Sequence, residues 1–405
     1  MSLETYKLLA SSLFKRDGKS KIEQVPSIAD MRLMAKRNVP KMIFDFVDGG
    51  AGHEITLRHN ESDFQRVFFN PRSLVDVSKQ DPSAHFGGRD FPLPIILGPA
   101  GLVRVVGNKG EVSAVKSAGK RGLVYTISTS SSYSIEDIKQ VAQGPLWFQL
   151  YLWRNKEIVD GLIERAAKAE CDAIVLTIDV PLNANRLRDL RNGMSIPPKI
   201  TFRNAFEAMT KPRWLMDITS GDPIGFRNFV GIAEGNSALS HSEFINKELS
   251  NLSATWEDLK KLRERWPKKL YIKGILTVED ALNAVNCGVD GIIVSNHGGR
   301  QLDSTKSAVS CLPALKAAVG DRCEIFLDGG IRSGVDVIKA LCMGADAVTL
   351  GRSWVWGVAA GGEKGVDRVI DIYQEEIRQT MILLGVSNLS ELNEKMITLP
   401  AEWQP

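Results

Sequence analysis

Residues 291–303, GIIVSNHGGRQLD, run from an apolar stretch straight into Ser295, Asn296, His297, two glycines and Arg300. A strand covered on both faces has to satisfy or use polar residues at its end, and such ends are where α/β enzymes keep their reactive groups. His297 can move a proton near neutral pH, and Asp179 is a carboxylate that could steady it and make it more basic. Arg300, three residues beyond the histidine, and Arg186, seven beyond the aspartate, could clamp a substrate carboxylate with their planar forks. The bland alternative is a plain turn at Asn296–Gly299 with a surface charge after it.

Two further features point to a phosphorylated or charge-gaining partner. LDGGIRSG and TLGRS place glycine turns, each with one Arg, after two apolar runs and before helix starts, a pattern that binds phosphate through backbone N–H groups. Lys273 ends the run YIKG and asks for a partner that develops negative charge: the pyrimidine edge of a flavin, or, in the rival reading, a carbonyl that forms a Schiff base.

The elements that must position these groups are eight short β-rich runs. They are PIILGPA (94–100), LVYTIS (123–128), LWFQLY (146–151), AIVLTID (173–179), LYIKG (270–274), GIIVSN (291–296), EIFLDGG (324–330) and AVTLGR (347–352). Helical patterns such as NKEIVDGLIERAAKAE, TVEDALNAVNCG and SGVDVIKALCMG separate them. This alternation, without a GxGxxG after the first run, predicts a closed (β/α)8 TIM barrel. The strand ends then collect Ser128, Gln149 with Tyr151, Thr177 with Asp179, Lys273, Ser295 with His297 and Arg300, Asp328 with Arg332, and Gly351 with Arg352. Any one could be structural; eight strands all ending this way is poor core design.

Outside the barrel, residues 1–27 read as an N-terminal arm with a short amphipathic helix. From Ile28 the spacing predicts two helices, the second opened by Pro40 and closed by glycines. A long insertion, about 193–255, follows the fourth strand, and 393–405 form a C-terminal tail around the main unit 28–392. Among 405 residues, 51 basic and 48 acidic side chains are too balanced to argue for nucleic acid. Five cysteines without a CxxC pair read as reduced, and no run approaches the length of a membrane span, so a cytoplasmic protein is expected, with no metal site.

SNHGGRQLD, LDGGIRSGVDVIKALCMGADAV, WFQLY, LTIDVP and YIKG, in this order, resemble the FMN-dependent α-hydroxy acid oxidases and dehydrogenases, a family that includes glycolate oxidase, L-lactate dehydrogenase and mandelate dehydrogenase. The resemblance runs from about Ile28 to about Leu392. It implies FMN held by Pro99, Ala100, Gly101, Ser128, Gln149, Thr177, Lys273 and Ser295, with phosphate contacts from Asp328, Gly329, Gly330, Arg332, Gly351 and Arg352. It implies His297 as the base paired with Asp179, and Tyr151, Arg186 and Arg300 on the substrate's hydroxyl and carboxylate. The reaction implied is oxidation of an (S)-2-hydroxy acid to the 2-oxo acid. The rivals are another FMN barrel chemistry, such as isomerisation of isopentenyl diphosphate, and a flavin-binding module without turnover.

Three departures stand out. Phe46 of Phe44-Asp45-Phe46 replaces a Tyr whose hydroxyl helps bind the carboxylate in the family; GxRExD reads Ala184-Asn185-Arg186-Leu187-Arg188-Asp189; and Ala100 stands where many relatives have Thr or another residue. Phe46 favours large or aromatic substrates such as mandelate. DVPLNANRLRDLRNG and KPRWLMD resemble the mandelate and L-lactate dehydrogenase branch, and Gly101 resembles the dehydrogenases more than the oxidases, which tend to carry Ala. That branch implies a quinone-type acceptor, with O2 as the alternative, and a homotetramer. The insertion mixes Phe202, Phe206, Met209, Trp214, Leu215 and Met216 with Lys199, Arg203, Lys211 and Arg213, a composition that suits peripheral membrane contact through 193–240, an active-site lid or a subunit contact.

Overall fold

The computed structural model describes residues 20–195, 201–230 and 251–404. The helix expected before residue 20, and the parts of the insertion at 196–200 and 231–250, lie outside the described residues.

All eight expected strands form. They are β1 (Ile95–Leu97), β2 (Val124–Ser128), β3 (Leu146–Leu150), β4 (Ala173–Thr177), β5 (Lys269–Ile275), β6 (Gly291–Val294), β7 (Glu324–Asp328) and β8 (Ala347–Leu350). Each pairs in parallel with the next, and β8 returns to β1 with Val348 opposite Ile95, which closes the barrel. The intervening helices start where a side chain can satisfy the first free amides: Asn155 caps Lys156–Lys168, Thr277 caps Val278–Asn286 and Ser333 caps Gly334–Cys342.

Side chains alternate along a strand, so one pleat decides what faces the axis. Trp147, Tyr271 and Phe326 form the inner floor, and Phe86 from a small hairpin (Ala84–Phe86 with Arg89–Phe91) seals it from below, 5.8 Å from the Phe326 ring. Two residues further along the same strands stand Gln149, Lys273 and Asp328. The apolar plug thus sits directly beneath the polar layer.

Ile28–Asn38 and Lys41–Asp48 are helical as the spacing predicts, and a third helix, Ile55–Ser62, follows. Ile397 and Thr398 pair with Phe69 and Phe68, and Trp403 is buried. After β4 come helices Leu187–Asn192, Phe202–Met209 and Pro212–Ser220; the last two bury none of their residues. The chain re-enters the barrel at Asn228, which is buried and accepts from the Ile135 N–H at 3.0 Å, and at Phe229, whose ring stacks on Trp153 at 4.3 Å. Among the described residues no helix is long and apolar enough to cross a membrane. The five cysteines are all buried and unbonded.

Candidate active site

A cavity of about 770 Å³ opens at the C-terminal ends of the barrel strands. Of the residues singled out in the sequence, all but Asp179 and Ser295 line it, and those two stand directly behind residues that do.

On its inner side, the Lys273 ammonium donates to Ser295 Oγ at 2.8 Å and lies 3.0 Å from Asp328 Oδ2. Burial pushes this ammonium toward the neutral form, but Asp328 and Asp179 together outweigh it and hold the lysine above its ordinary value. A lysine held by Ser295 and Asp328 in this way is a poor Schiff-base nucleophile, which counts against that rival. Gln149 spends its carbonyl on the Thr129 N–H at 3.2 Å and the Ser128 hydroxyl at 3.4 Å, leaving its buried Nε2 without a protein partner; buried Thr177 Oγ1 is likewise unpaired. Buried polar atoms are rarely left so, and these two border the cavity beside Lys273. A planar, hydrogen-bonding ring that can take up negative charge fits such a wall, as a flavin would. Pro99, Ala100 and Gly101 form the adjoining edge, with Gly101 so close to Ser130 that a Cβ would lie 2.9 Å from its side chain.

Further round, Gly329 and Gly330 adopt φ of +100° and +79°, and a Cβ on Gly330 would fall 1.8 Å from the Asn60 carbonyl. Only glycine makes this turn. At Gly351 a Cβ would meet nothing within 4 Å, so the space over the start of helix Arg352–Gly361 is open, as an anion site at a helix N-terminus requires. The two arginines expected on a phosphate line the cavity but have protein partners. Arg332 pairs with Glu61 at 2.8 Å, and Arg352 donates to the carbonyls of Val47 (3.1 Å), Gly298 (2.9 Å) and Gly49 (2.8 Å). Burial, and then Arg332, push Arg352 down to about 10.

On the outer side, His297 Nδ1 lies 2.8 Å from Asp179 Oδ1, and 27% of the histidine side chain is exposed. The histidine itself has φ of 58°, a left-handed conformation costly for a residue with a Cβ. Its backbone N–H donates to Ser295 Oγ at 3.0 Å, which ties it to the Lys273–Asp328 pair. Asp179 raises the His297 pKa as expected of a carboxylate, but burial lowers it more, with Lys273 adding to the fall. Asp179, although burial opposes its charge, is held below its ordinary value by His297 and Lys273. The pair is therefore a neutral imidazole on a carboxylate. With Nδ1–H donating to Asp179 Oδ1, the Nε2 lone pair is free to accept a proton.

Arg186 and Arg300 converge on Phe46, their guanidinium carbons 5.8 Å and 5.6 Å from its ring centre. Burial lowers the pKa of both, and Arg300 is lowered further by Arg186 and Arg352. Such a concentration of half-buried cations invites an anion. Tyr151 lies nearby, its phenol kept protonated by burial and by Asp179. Sequence reasoning missed Asp189, whose Oδ2 is 3.6 Å from Arg186 and whose Oδ1 is unpaired, and Phe226, a buried wall residue from the returning end of the insertion. The i, i+3 spacing on a helix start could have flagged Asp189; nothing local marks Phe226.

The sequence profile of the FMN-dependent dehydrogenase family matches residues 35–399. An L-lactate dehydrogenase of Caulobacter vibrioides is 38% identical over 376 residues, covering 92% of this chain and 97% of that protein. The crystal structure of the monotopic membrane protein (S)-mandelate dehydrogenase superposes with a TM-score of 0.90 at 35% identity, covering 93% of this chain and 100% of that one. The crystal structure of mandelate oxidase does so with a TM-score of 0.79 at 36% identity, covering 92% and 98%. By its closed barrel and by a family profile and relatives that match nearly its whole length, this chain belongs to the FMN-dependent dehydrogenase family.

Proposed function

We propose that the protein oxidises an (S)-2-hydroxy acid with a large or aromatic substituent to the 2-oxo acid and passes the electrons to a quinone-type acceptor. One observation carries the reading: a base on a carboxylate and two half-buried guanidinium groups open on one cavity, beside a wall suited to a flavin. Arg186 and Arg300 take the substrate carboxylate, whose charge replaces the hydration these cations lose on burial. The Tyr151 phenol binds the hydroxyl, and His297 Nε2 takes a proton from the substrate while Asp179 steadies the charge that forms. FMN, when bound, supplies the two-electron acceptor, with Lys273, Gln149, Thr177, Ser128 and the Pro99–Gly101 edge at its ring and Asp328–Gly330, Arg332, Gly351 and Arg352 toward its phosphate. Holding Cα and base in one geometry can lower the barrier by about 7–11 kcal/mol at best.

The substrate preference rests on Phe46 together with Leu182, Leu190, Met194 and Phe226, apolar residues that share the cavity. The acceptor rests on Gly101 and on the insertion, where Phe202 is 100% exposed and Phe206, Met209 and Met216 are exposed beside it. A face of this kind suits peripheral membrane contact, and the mandelate dehydrogenase that this chain resembles is described as monotopic. The L-lactate dehydrogenase relative supports a smaller substrate as the second reading.

The test is anaerobic mixing of the yellow protein with (S)-mandelate, L-lactate and glycolate. Bleaching fastest with (S)-mandelate is expected. Absence of bleaching with every hydroxy acid would leave a flavin-binding protein without this activity. Re-oxidation by a ubiquinone analogue much faster than by O2 is the expected acceptor result.

A further inference from the structure

Helix Ile55–Ser62 contributes nothing to the cavity lining, yet it touches the polar turns that do. The Leu57 N–H lies 2.6 Å from where a Cβ on Gly299 would sit, directly after His297 and Gly298. Glu61 holds Arg332. Between them, Asn60 is 1% exposed and meets both turns at once.

Its side-chain amide and that of Asn296 exchange two hydrogen bonds: Asn60 Nδ2 donates to Asn296 Oδ1 and Asn296 Nδ2 donates to Asn60 Oδ1, each at 2.8 Å. Asn296 Oδ1 also accepts from the Gly299 N–H at 3.0 Å and so caps the short turn His297–Gly299 in which His297 is left-handed. On the other side, the Asn60 backbone carbonyl leaves no room for a side chain on Gly330, and the Asn60 side-chain Nδ2 lies 3.6 Å from the Cβ position of Gly329. Only a planar amide returns both bonds to another amide. An aspartate would oppose two acceptors, and an apolar residue would leave Asn296 with a buried donor unsatisfied.

We propose that Asn60 is a positioning residue that sets the spacing between the turn carrying the base and the glycine turn facing the flavin phosphate. This rests on the roles given above to His297 and Gly329–Gly330. The left-handed backbone at His297 is a strained state, and strain persists only where the surroundings over-determine it. Freed from Asn60, the Asn296 cap loosens, and the histidine relaxes away from the distance at which its Nε2 meets the substrate.

The experiment uses holoenzyme of Asn60→Ala and Asn60→Asp, with Asn60→Ser carrying the comparison if the first two do not fold. The rate constant of flavin reduction at saturating substrate is expected to fall by up to about 10²-fold with little change in KM, as for a misplaced group. The rate of FMN release from the holoenzyme, measured by fluorescence without substrate, should rise in the same variants. Asn60→Ala combined with Asn296→Ala should lose no more than the worse single change, because the two belong to one pair. Wild-type reduction and FMN retention, a change in KM alone, or a loss of melting temperature with intact rate would each overturn the proposal. His297→Gln separates the two levels: if it reduces flavin normally, the base assignment fails, whereas if it stops reduction and the Asn60 variants do not slow it, only Asn60 is misassigned.

Discussion

The Arg300 guanidinium carbon stands 5.6 Å from the centre of the Phe46 ring, and Arg186 stands 5.8 Å from the same ring. Two like charges share one aromatic surface. The ring's negative quadrupole offsets part of their repulsion, at roughly 0.5–2 kcal/mol for each contact, but it cannot donate a hydrogen bond to an anion arriving between them. Phe46 therefore supports the arginines rather than the substrate carboxylate.

Phe46→Tyr is expected to add the missing donor. A charge-assisted hydrogen bond is worth about 1.5–3 kcal/mol, so small hydroxy acids, which lack other anchors, should gain most. A mandelate-like substrate would have Leu182, Met194 and Phe226 of the cavity wall to pack against and should gain less. The measurement is the ratio of kcat/KM for L-lactate and (S)-mandelate in the two proteins; an unchanged ratio means the ring does not shape selectivity.

His297→Gln should slow flavin reduction by at least the 10²–10⁴-fold or so that general-base catalysis contributes, while FMN stays bound. Single-turnover mixing reads the first quantity and the visible spectrum the second. Near-normal reduction would take His297 out of the chemistry.

Because burial lowers the His297 pKa against the pull of Asp179, the imidazole should remain neutral below its ordinary 6.5. The rate of flavin reduction is expected to be flat at neutral pH and to fall only on the acid side of 6.5. Stability follows the same sign: below 6.5 the unfolded chain binds a proton that the folded histidine refuses, so this contribution, fully present above 6.5, is lost as pH falls through the folded value. Asp179→Asn removes the group that raises this pKa, so the acid limb should move further down while the rate itself drops. A limb above pH 7 in the wild type would contradict the balance of burial over charge.

Replacing Phe202, Phe206, Met209 and Met216 by Ser should abolish sedimentation with membrane vesicles and leave anaerobic reduction by substrate intact. Each side chain buried in lipid would contribute about 1.5–3 kcal/mol, so losing all four removes most of the anchoring that these helices can offer. Undiminished sedimentation would assign the face another role.

The sequence by itself determined the barrel and most of the cavity wall. Apolar runs of strand length, helix caps such as Thr277 and Ser333, and polar residues one pleat beyond each apolar stretch are local patterns, and the alternation of side chains turns them into an inner floor and a reactive rim. His297, Lys273 and Arg300 were legible because each is a polar residue within or just after an apolar strand run. What those groups then do was decided by tertiary structure alone. Whether His297 is more or less basic depends on how much water its surroundings exclude against one carboxylate at 2.8 Å, a balance of terms that no spacing encodes. Arg352 reads as a phosphate ligand in the chain, but in space it also reaches three carbonyls, two of them 303 and 305 residues away. Asn60 lies on an unremarkable helical stretch and acquires its meaning from Asn296, 236 residues on. Hydrogen bonds and burial are made by neighbours in space, and a closed barrel brings together the ends of strands that the chain keeps far apart.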